Sequence, residues 1–224
     1  MSARDLLESN GFVVLPGVLP EARCQAVEGH LADLGSESAG TRNLLDATWC
    51  GSMVAALRDS ELLGSLLAGS VAVQCTYFDK SPSVNWLVPI HQDLSIPVRE
   101  RVVHPELKGW SEKEGTLFVQ PPPGVLDELV AVRLHIDDSG TDNGPLRVIP
   151  GSHRSGRLSS AEHVALRDGG NEVACTTPRG GVVAMKPLLL HASSKSTSSR
   201  PRRVLHYLFG PAVLPFGLEW CRVV

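Results

Sequence analysis

The hydrophobic patterning changes near residue 70, and this change limits the folds open to the chain. Before it, apolar residues recur at helical spacing, as over residues 20–34. After it come short runs of strand character separated by Gly/Pro turns, and residues 130–137 alternate cleanly between apolar and polar. Strands and helices do not alternate, which argues against a doubly wound parallel sheet. The pattern favours a mainly β protein with flanking α-helices, whose core is a double-stranded β-helix, the cupin-like jelly roll.

Length and composition indicate one folded unit. The chain has 224 residues, of which 42% are hydrophobic, and this is enough for a sizeable core. No internal repeat or low-complexity linker divides it. We therefore expect a single domain over residues 1–224, with a helical part over about 1–69 and a jelly-roll core over about 70–224.

Further elements are expected from the same patterning. A second long helix is expected over residues 53–67. The expected strands are residues 12–15, 71–78, 117–120, 130–137, 172–175, 181–185, 188–191, 203–209 and 218–223.

Charge and cysteine content exclude several classes of partner. Lys+Arg 21 against Asp+Glu 24 gives a net charge of −3, so a nucleic-acid surface is not expected. No apolar run approaches the roughly 20 residues of a membrane span, and the N-terminus has no apolar signal region. The five cysteines are widely spaced and include no CxxC motif, as is typical of free thiols in a reducing compartment. We expect a cytoplasmic protein without nucleic-acid or membrane partners.

His91 and Asp93 form a His-x-Asp pair in a segment of extended character. Side chains on a strand alternate with period two, so both would point to one face. Alone, such a pair is also compatible with two surface polar residues at a strand end. His191 ends an apolar run, where a buried imidazole needs a partner. Together the three residues would make a 2-His-1-carboxylate triad, which covers one face of a metal ion and leaves the other open.

Ser193 and Arg202 extend this set. Ser193 follows His191 at i+2, on the same face if the strand continues. Arg202 shares the inner face of a closing strand with His206 and Leu208. A buried guanidinium is costly without an anion, and its planar shape suits a carboxylate. Triad, hydroxyl and guanidinium together indicate an iron site that uses a 2-oxo acid. Facial ligation favours Fe(II) without excluding other divalent metals.

On these residues, the sequence resembles the phytanoyl-CoA dioxygenase family of Fe(II)/2-oxoglutarate-dependent oxygenases. The resemblance covers about residues 11–211 and is carried by His91-Gln92-Asp93, by the run NGPLRVIPGSH at residues 143–153, and by His191-x-Ser193 with Arg202 at the family's spacing. It implies a jelly-roll core, Fe(II), 2-oxoglutarate as cosubstrate, and O₂ and a small molecule as partners. It also implies conversion of 2-oxoglutarate and O₂ to succinate and CO₂ with oxidation, usually hydroxylation, of the substrate.

The resemblance restricts the type of reaction more closely than it restricts the identity of the substrate. Halogenases of the family carry a small residue in place of the carboxylate, so Asp93 argues against halogenation. The family's substrates are diverse, and residues 98–123 match no substrate motif, so the substrate stays open.

The candidate site residues fall into two groups. The expected catalytic and metal-binding residues are His91, Asp93 and His191. The expected cosubstrate-binding residues are Arg202 and Ser193, with Lys80 added by the resemblance and Gln120, before a run of three prolines, as a contact for cosubstrate or substrate.

Other polar residues leave alternatives open. Arg133 and His135 either line the pocket or face solvent, and His206 is either a cavity residue or a hydrogen-bonded core histidine. His153 is expected to be a hydrogen-bonded loop residue, and Gly144 to serve a turn.

Two rival functions share the predicted scaffold. A cupin-like metal-dependent isomerase or epimerase would need no 2-oxoglutarate, and hence no Arg202 beside the metal. A non-catalytic jelly-roll binding protein would have no reason to keep three metal ligands together with that arginine.

Overall fold

The computed structural model describes residues 1–32 and 40–224, and these form six α-helices and twelve β-strands. The helices are α1 (Ala3–Asn10), α2 (Glu21–Ala32), α3 (Thr48–Arg58), α4 (Gly64–Leu67), α5 (Pro123–Asp127) and α6 (Ser160–Asp168). The strands are β1 (Phe12–Leu15), β2 (Ser70–Lys80), β3 (Val88–His91), β4 (Ile96–Val98), β5 (Lys108–Lys113), β6 (Thr116–Gln120), β7 (Val130–His135), β8 (Leu146–Val148), β9 (Val173–Cys175), β10 (Val182–Met185), β11 (His191–Ser193) and β12 (Arg202–Pro211).

The described strands pair antiparallel in three sheets. A five-stranded sheet has the order β1-β10-β7-β12-β2, and a four-stranded sheet has the order β3-β11-β8-β9. A third, three-stranded sheet has the order β4-β6-β5. Antiparallel pairing of strands distant in sequence, with helices before them, is the mainly β jelly-roll architecture that the patterning predicts, and this prediction is confirmed.

The five-stranded sheet is covered on both faces, and the alternation of β12 shows how. Tyr207 and Phe209 belong to a core shared with the N-terminal helices α1–α4. Leu208, between them, belongs to a second core that includes Leu146 and Val148 of the four-stranded sheet. Even-numbered residues of β12 therefore face the space between the two sheets, because side chains on a strand alternate.

An ion-pair network holds α2 against the outer side of the sheet. Glu28 pairs with Arg179 and with Arg203, and Arg203 also pairs with Asp137 just after β7. The hydrogen bond from Arg179, together with Arg203, lowers the pKa of Glu28 to about 2 although burial opposes it. Arg203 therefore has its partners on the helix side, whereas its neighbour Arg202 lies on the inner side.

Several expected elements differ from the structure. The single helix predicted over residues 53–67 is wrong, because α3 ends at Arg58 and α4 begins only at Gly64. The predicted end of α2 near Leu34 lies outside the described residues. The polar segment 99–115, where no strand is expected, contains β5, whose side chains are exposed or half-buried and show no apolar alternation.

Two predicted strands near the site also need correction. Residues 187–189 form a turn closed by the hydrogen bond from Leu189 N–H to the carbonyl of Lys186, and the strand starts only at His191. The apolar run is fully buried, but burial of a turn gives the same hydropathy as burial of a strand. Residues 218–223 form no strand; Trp220 makes one isolated bridge to Val98.

Candidate metal centre

Two paired strands of the four-stranded sheet bring the two histidines together. His91 ends β3, His191 begins β11, and the two are direct partners in the antiparallel ladder. Asp93 lies just beyond β3, where its N–H donates to the carbonyl of Pro187 at 2.9 Å. Its two carboxylate oxygens lie 3.7 Å from Nε2 of His91 and 3.7 Å from Nε2 of His191. One donor atom from each residue lies within 4.8 Å of the others, a spacing that fits around one metal ion.

Backbone carbonyls fix the orientation of both imidazoles. Nδ1 of His91 lies 2.8 Å from the carbonyl of Pro89, and Nδ1 of His191 lies 2.9 Å from that of Leu189. Because a carbonyl only accepts hydrogen bonds, each Nδ1 donates to it, and Nε2 is the ring nitrogen left to bind a metal ion on the side of Asp93. This is the arrangement that supports histidine ligands in metal sites.

The electrostatics favour the ligand form of these side chains. Burial lowers the pKa of His191 to about 4, only partly offset by Asp93, so its imidazole is neutral near pH 7. Burial alone would raise the pKa of Asp93, but attraction to the neighbouring imidazoles and to Arg133 outweighs it and lowers this pKa. His191 thus presents a neutral nitrogen donor, and Asp93 presents a carboxylate.

Gln92 holds the segment between the two ligands, a role that sequence reasoning missed. Its Nε2 donates to the carbonyls of Leu188 at 2.7 Å and Gly156 at 2.8 Å. Its Oε1 accepts from the N–H of Leu158 at 2.9 Å. The sequence indicates this role only through the position of Gln92 between His91 and Asp93. Side chains alternate along an extended segment, so Gln92 is expected to point away from the metal site. Gln92 therefore ties the ligand segment to the turn that precedes His191.

Arg202 lies on the cavity side of β12, opposite Lys80 of β2. Its side chain is 2% exposed, its Nε donates to the carbonyl of Asn143 at 3.1 Å, and its Nη1 has no partner among the described residues. Burial, and then repulsion from Arg133, lower its pKa to about 9. A buried cation with an unused N–H is a position that an anion would satisfy.

Lys80 and Ser193 adjoin this arginine. The buried ammonium of Lys80 donates to Oγ of Ser193 at 2.9 Å and to the carbonyl of Ser194 at 2.6 Å. Burial, with repulsion from Arg202 and Arg133, lowers the pKa of Lys80 to about 7. Ser193 faces the cavity, as its position two residues after His191 predicts. The structure thus brings the three expected carboxylate-binding side chains together.

Gly144 allows the backbone to close over this cluster. Its φ is +68°, and a Cβ there would lie 2.4 Å from the carbonyl oxygen of Ser194 and 3.1 Å from Nζ of Lys80. Its own carbonyl accepts from Oγ of Ser193 at 2.8 Å. A glycine is therefore required here both by conformation and by close approach.

All three ligands line one cavity of about 430 Å³. Arg202, Ser193 and Gln120 also line it, whereas Lys80 adjoins it through Ser193. Ligand pockets for small molecules are typically ~300–1,000 Å³, so the cavity suits a small organic molecule beside a cosubstrate.

The structure decides the alternatives left open for the other polar residues. Arg133 and His206 line the cavity. For His135 both alternatives are wrong, because it does not line the cavity and is fully buried, and neither of its ring nitrogens has a partner among the described residues. His153 is a structural loop residue as expected, with Nε2 3.2 Å from the carbonyl of Glu8.

Fold and site together define a jelly-roll protein with a His-Asp-His metal-binding geometry beside a buried cationic pocket. The sequence profile of the phytanoyl-CoA dioxygenase family matches residues 7–204. The chain belongs to this family. No curated protein matches it.

Solved structures share the fold at low sequence identity. HygX from Streptomyces hygroscopicus, crystallised with iron, is 16% identical with a TM-score of 0.64, over 95% of this chain and 87% of that one. EctD from S. alaskensis in its apoform is 18% identical with a TM-score of 0.69, over 98% and 81%. SnoN, a non-heme alpha-ketoglutarate-dependent epimerase from nogalamycin biosynthesis, is 14% identical with a TM-score of 0.69, over 98% and 86%. HygX has also been crystallised with nickel and 2-oxoglutarate, and with hygromycin B in addition.

Two expectations from composition can also be compared with the structure. None of the described helices has the length and apolar character needed to cross a bilayer. All five cysteines are free, and four of them are buried, as their spacing predicts.

Proposed function

We propose that the chain is an Fe(II)/2-oxoglutarate-dependent oxygenase that hydroxylates a small organic molecule, with residues 1–224 acting as one domain. The observation that carries the proposal is one cavity that contains both the ligand triad and the buried, incompletely paired guanidinium of Arg202. Family membership and the 2-oxoglutarate complexes of HygX support it. The free thiols support a reducing, cytoplasmic location.

The roles follow from the donor set. Nε2 of His91, Nε2 of His191 and the carboxylate of Asp93 would hold iron, which suits facial N,N,O ligation with open positions. Iron bound there would supply oxidation of a C–H bond by O₂, coupled to conversion of 2-oxoglutarate to succinate and CO₂. Arg202 and Ser193, with Lys80 behind them, would bind the distal carboxylate and so orient the cosubstrate.

Epimerisation is a second candidate reaction, favoured by the shared fold of SnoN. An isomerase without 2-oxoglutarate would leave the buried Arg202 without an anion, and a non-catalytic binding protein would leave the triad without a purpose. The buried cations Arg202 and Lys80 beside the triad therefore favour the 2-oxoglutarate-dependent reactions over an isomerase without 2-oxoglutarate and over a non-catalytic binding protein.

Release of succinate tests this proposal. The full-length protein, freed of metal and then supplied with Fe(II), 2-oxoglutarate and air, is expected to form succinate slowly even without a primary substrate. His191→Ala and Asp93→Ala should abolish it, whereas His30→Ala, which removes an exposed histidine on α2, should not. Metal binding without any 2-oxoglutarate binding would indicate the isomerase, and absence of both would indicate a non-catalytic protein.

A further inference from the structure

A second buried cation in the cavity has no role in the proposed binding of 2-oxoglutarate. Arg133 on β7 and His206 on β12 are direct partners in the antiparallel ladder, and both line the cavity. Nη1 of Arg133 lies 3.0 Å from Nδ1 of His206. These two residues are called here the Arg133–His206 pair.

The pair lies at a different position along β12 from Arg202 and Lys80, which are proposed to bind 2-oxoglutarate. Arg202 is opposite Lys80, whereas His206 is opposite Arg133 on one side and Thr76 on the other. At ~3.3 Å per strand residue, the four residues from Arg202 to His206 span roughly 13 Å of β12. A carboxylate held by Arg202 is therefore not expected to satisfy the Arg133–His206 pair as well.

The hydrogen bond within the pair fixes what it can offer to a ligand. A guanidinium only donates hydrogen bonds, so Nδ1 of His206 must be the acceptor. Burial and the charge of Arg133 keep the imidazole neutral by lowering its pKa to about 3. The neutral ring then carries its proton on Nε2, and His206 can donate Nε2–H to a molecule in the cavity.

Arg133 forms no ion pair with a carboxylate of the described residues. Its side chain is 7% exposed, and its Nε has no hydrogen-bond partner within residues 1–32 and 40–224. Its near neighbours are the ring of His206 and the face of Phe78, 5.4 Å from the guanidinium carbon. Both are neutral. The carboxylate of Asp93 attracts the charge of Arg133 electrostatically, but it lies beyond ion-pair distance, so the groups next to the guanidinium are dipoles and an aromatic ring.

The charge balance of the cavity calls for one more anion. Asp93 is the one carboxylate among the described residues that line the cavity, and it belongs to the metal triad. A divalent metal ion and the two carboxylates of 2-oxoglutarate cancel each other, so their binding leaves the excess of buried cations unchanged. Because an uncompensated buried charge is costly, a further anion is the occupant that this site favours.

We infer that the Arg133–His206 pair binds a carboxylate of the primary substrate, so that the substrate is a small organic acid held next to the metal triad. The inference rests on the proposed function, since it assigns Arg202 to the cosubstrate. Binding of the metal-facing end of 2-oxoglutarate by Arg133 is the competing assignment, and the experiment separates the two.

Calorimetric titration of the full-length protein, loaded with Ni(II) and saturated with 2-oxoglutarate, provides the test. The probes are benzoate and benzamide, which have nearly the same shape and differ in charge. We expect benzoate to bind saturably and at least about tenfold more tightly than benzamide. Arg133→Gln should remove at least about tenfold of the benzoate affinity and change 2-oxoglutarate affinity less than threefold. Arg133→Lys, which keeps the charge, should retain part of the benzoate affinity.

The results that overturn the inference are distinct from those that overturn the proposed function. Benzoate binding no tighter than benzamide, or loss of 2-oxoglutarate affinity in Arg133→Gln as large as in Arg202→Ala, would refute the assignment of the pair to the substrate. If Arg133→Gln does not fold, the comparison of the two probes on the wild type and on Arg133→Lys still decides. A wild-type protein that binds neither Ni(II) nor 2-oxoglutarate would instead refute the proposed function.

Discussion

Replacing Arg202 by alanine tests the cosubstrate site most directly. The guanidinium is 2% exposed and has one N–H group left without a partner. Its pKa of about 9 means that it is charged near pH 7.5. Truncating one partner of a desolvated charge pair costs ~2–5 kcal/mol, or roughly 30-fold to several thousand-fold in a dissociation constant. Because Ser193 and Lys80 remain to hold the carboxylate, we expect the lower end, a loss of about 30- to 100-fold for 2-oxoglutarate.

The assay is anaerobic titration of the Ni(II)-loaded protein with 2-oxoglutarate, and Arg203→Ala is the matched control. Arg203 is the next residue on β12, but its hydrogen bonds go to Asp137 and Glu28 on the helix side. The control is therefore expected to lower stability while leaving 2-oxoglutarate affinity unchanged. An Arg202→Ala protein that binds within threefold of the wild type, or a large affinity loss in Arg203→Ala instead, would show that the inner face of β12 has been misassigned.

Three further predictions concern stability and pH. Gly144→Ala should lower the free energy of unfolding, measured in urea, by clearly more than Gly151→Ala does. A Cβ at residue 151 would meet no described atom within 4 Å, so this control should cost only ~1 kcal/mol for its positive φ. Equal losses in the two variants would contradict the close approach of the backbone at Gly144. The difference in free energy of unfolding between the wild type and Glu28→Gln should have its full size above about pH 4.5 and vanish as the pH falls toward 2. The reason is that the Glu28 carboxylate takes up a proton at a higher pH in the unfolded chain than in the folded one. A difference that persists at pH 2 would argue against this ion pair. Affinity for 2-oxoglutarate should fall as the pH rises from ~6 to ~8.5, because Lys80 loses its proton near pH 7. Lys80→Gln should abolish this pH dependence. An unchanged pH dependence of the affinity in the variant would assign the dependence to another group.

Sequence patterns predicted the fold because strand alternation is a local signal, produced here by an apolar core on one face of β7 and β12 and a polar cavity on the other. The alternation of β7 and β12 correctly separates residues that pack on the helices from those that face the cavity, such as Arg133 and Arg202. The same signal failed at residues 188–190, because hydropathy records burial and does not record whether the backbone pairs with a strand or closes a turn.

The candidate site was predictable to the extent that its chemistry lies in residue types and short spacings. His91, Asp93, His191, Ser193 and Arg202 fall together as the motif requires. The supporting contacts were not predictable, because they join residues far apart in sequence. The amide of Gln92 bonds to three backbone groups beyond residue 155, and no local pattern indicates which carbonyls those are.

The position of β12 in its sheet bears on how the protein acquires its site. This strand lies between β7 and β2, both of which precede it by long stretches of chain, and it completes their hydrogen bonding. Until it inserts, β2 and β7 each present an unpaired edge, and folding must await a contact of high sequence separation, which is slow. The strand that completes the sheet also carries Arg202, so a chain in which β12 is not yet paired has no complete cosubstrate pocket. The cosubstrate pocket is therefore complete only when the sheet is complete.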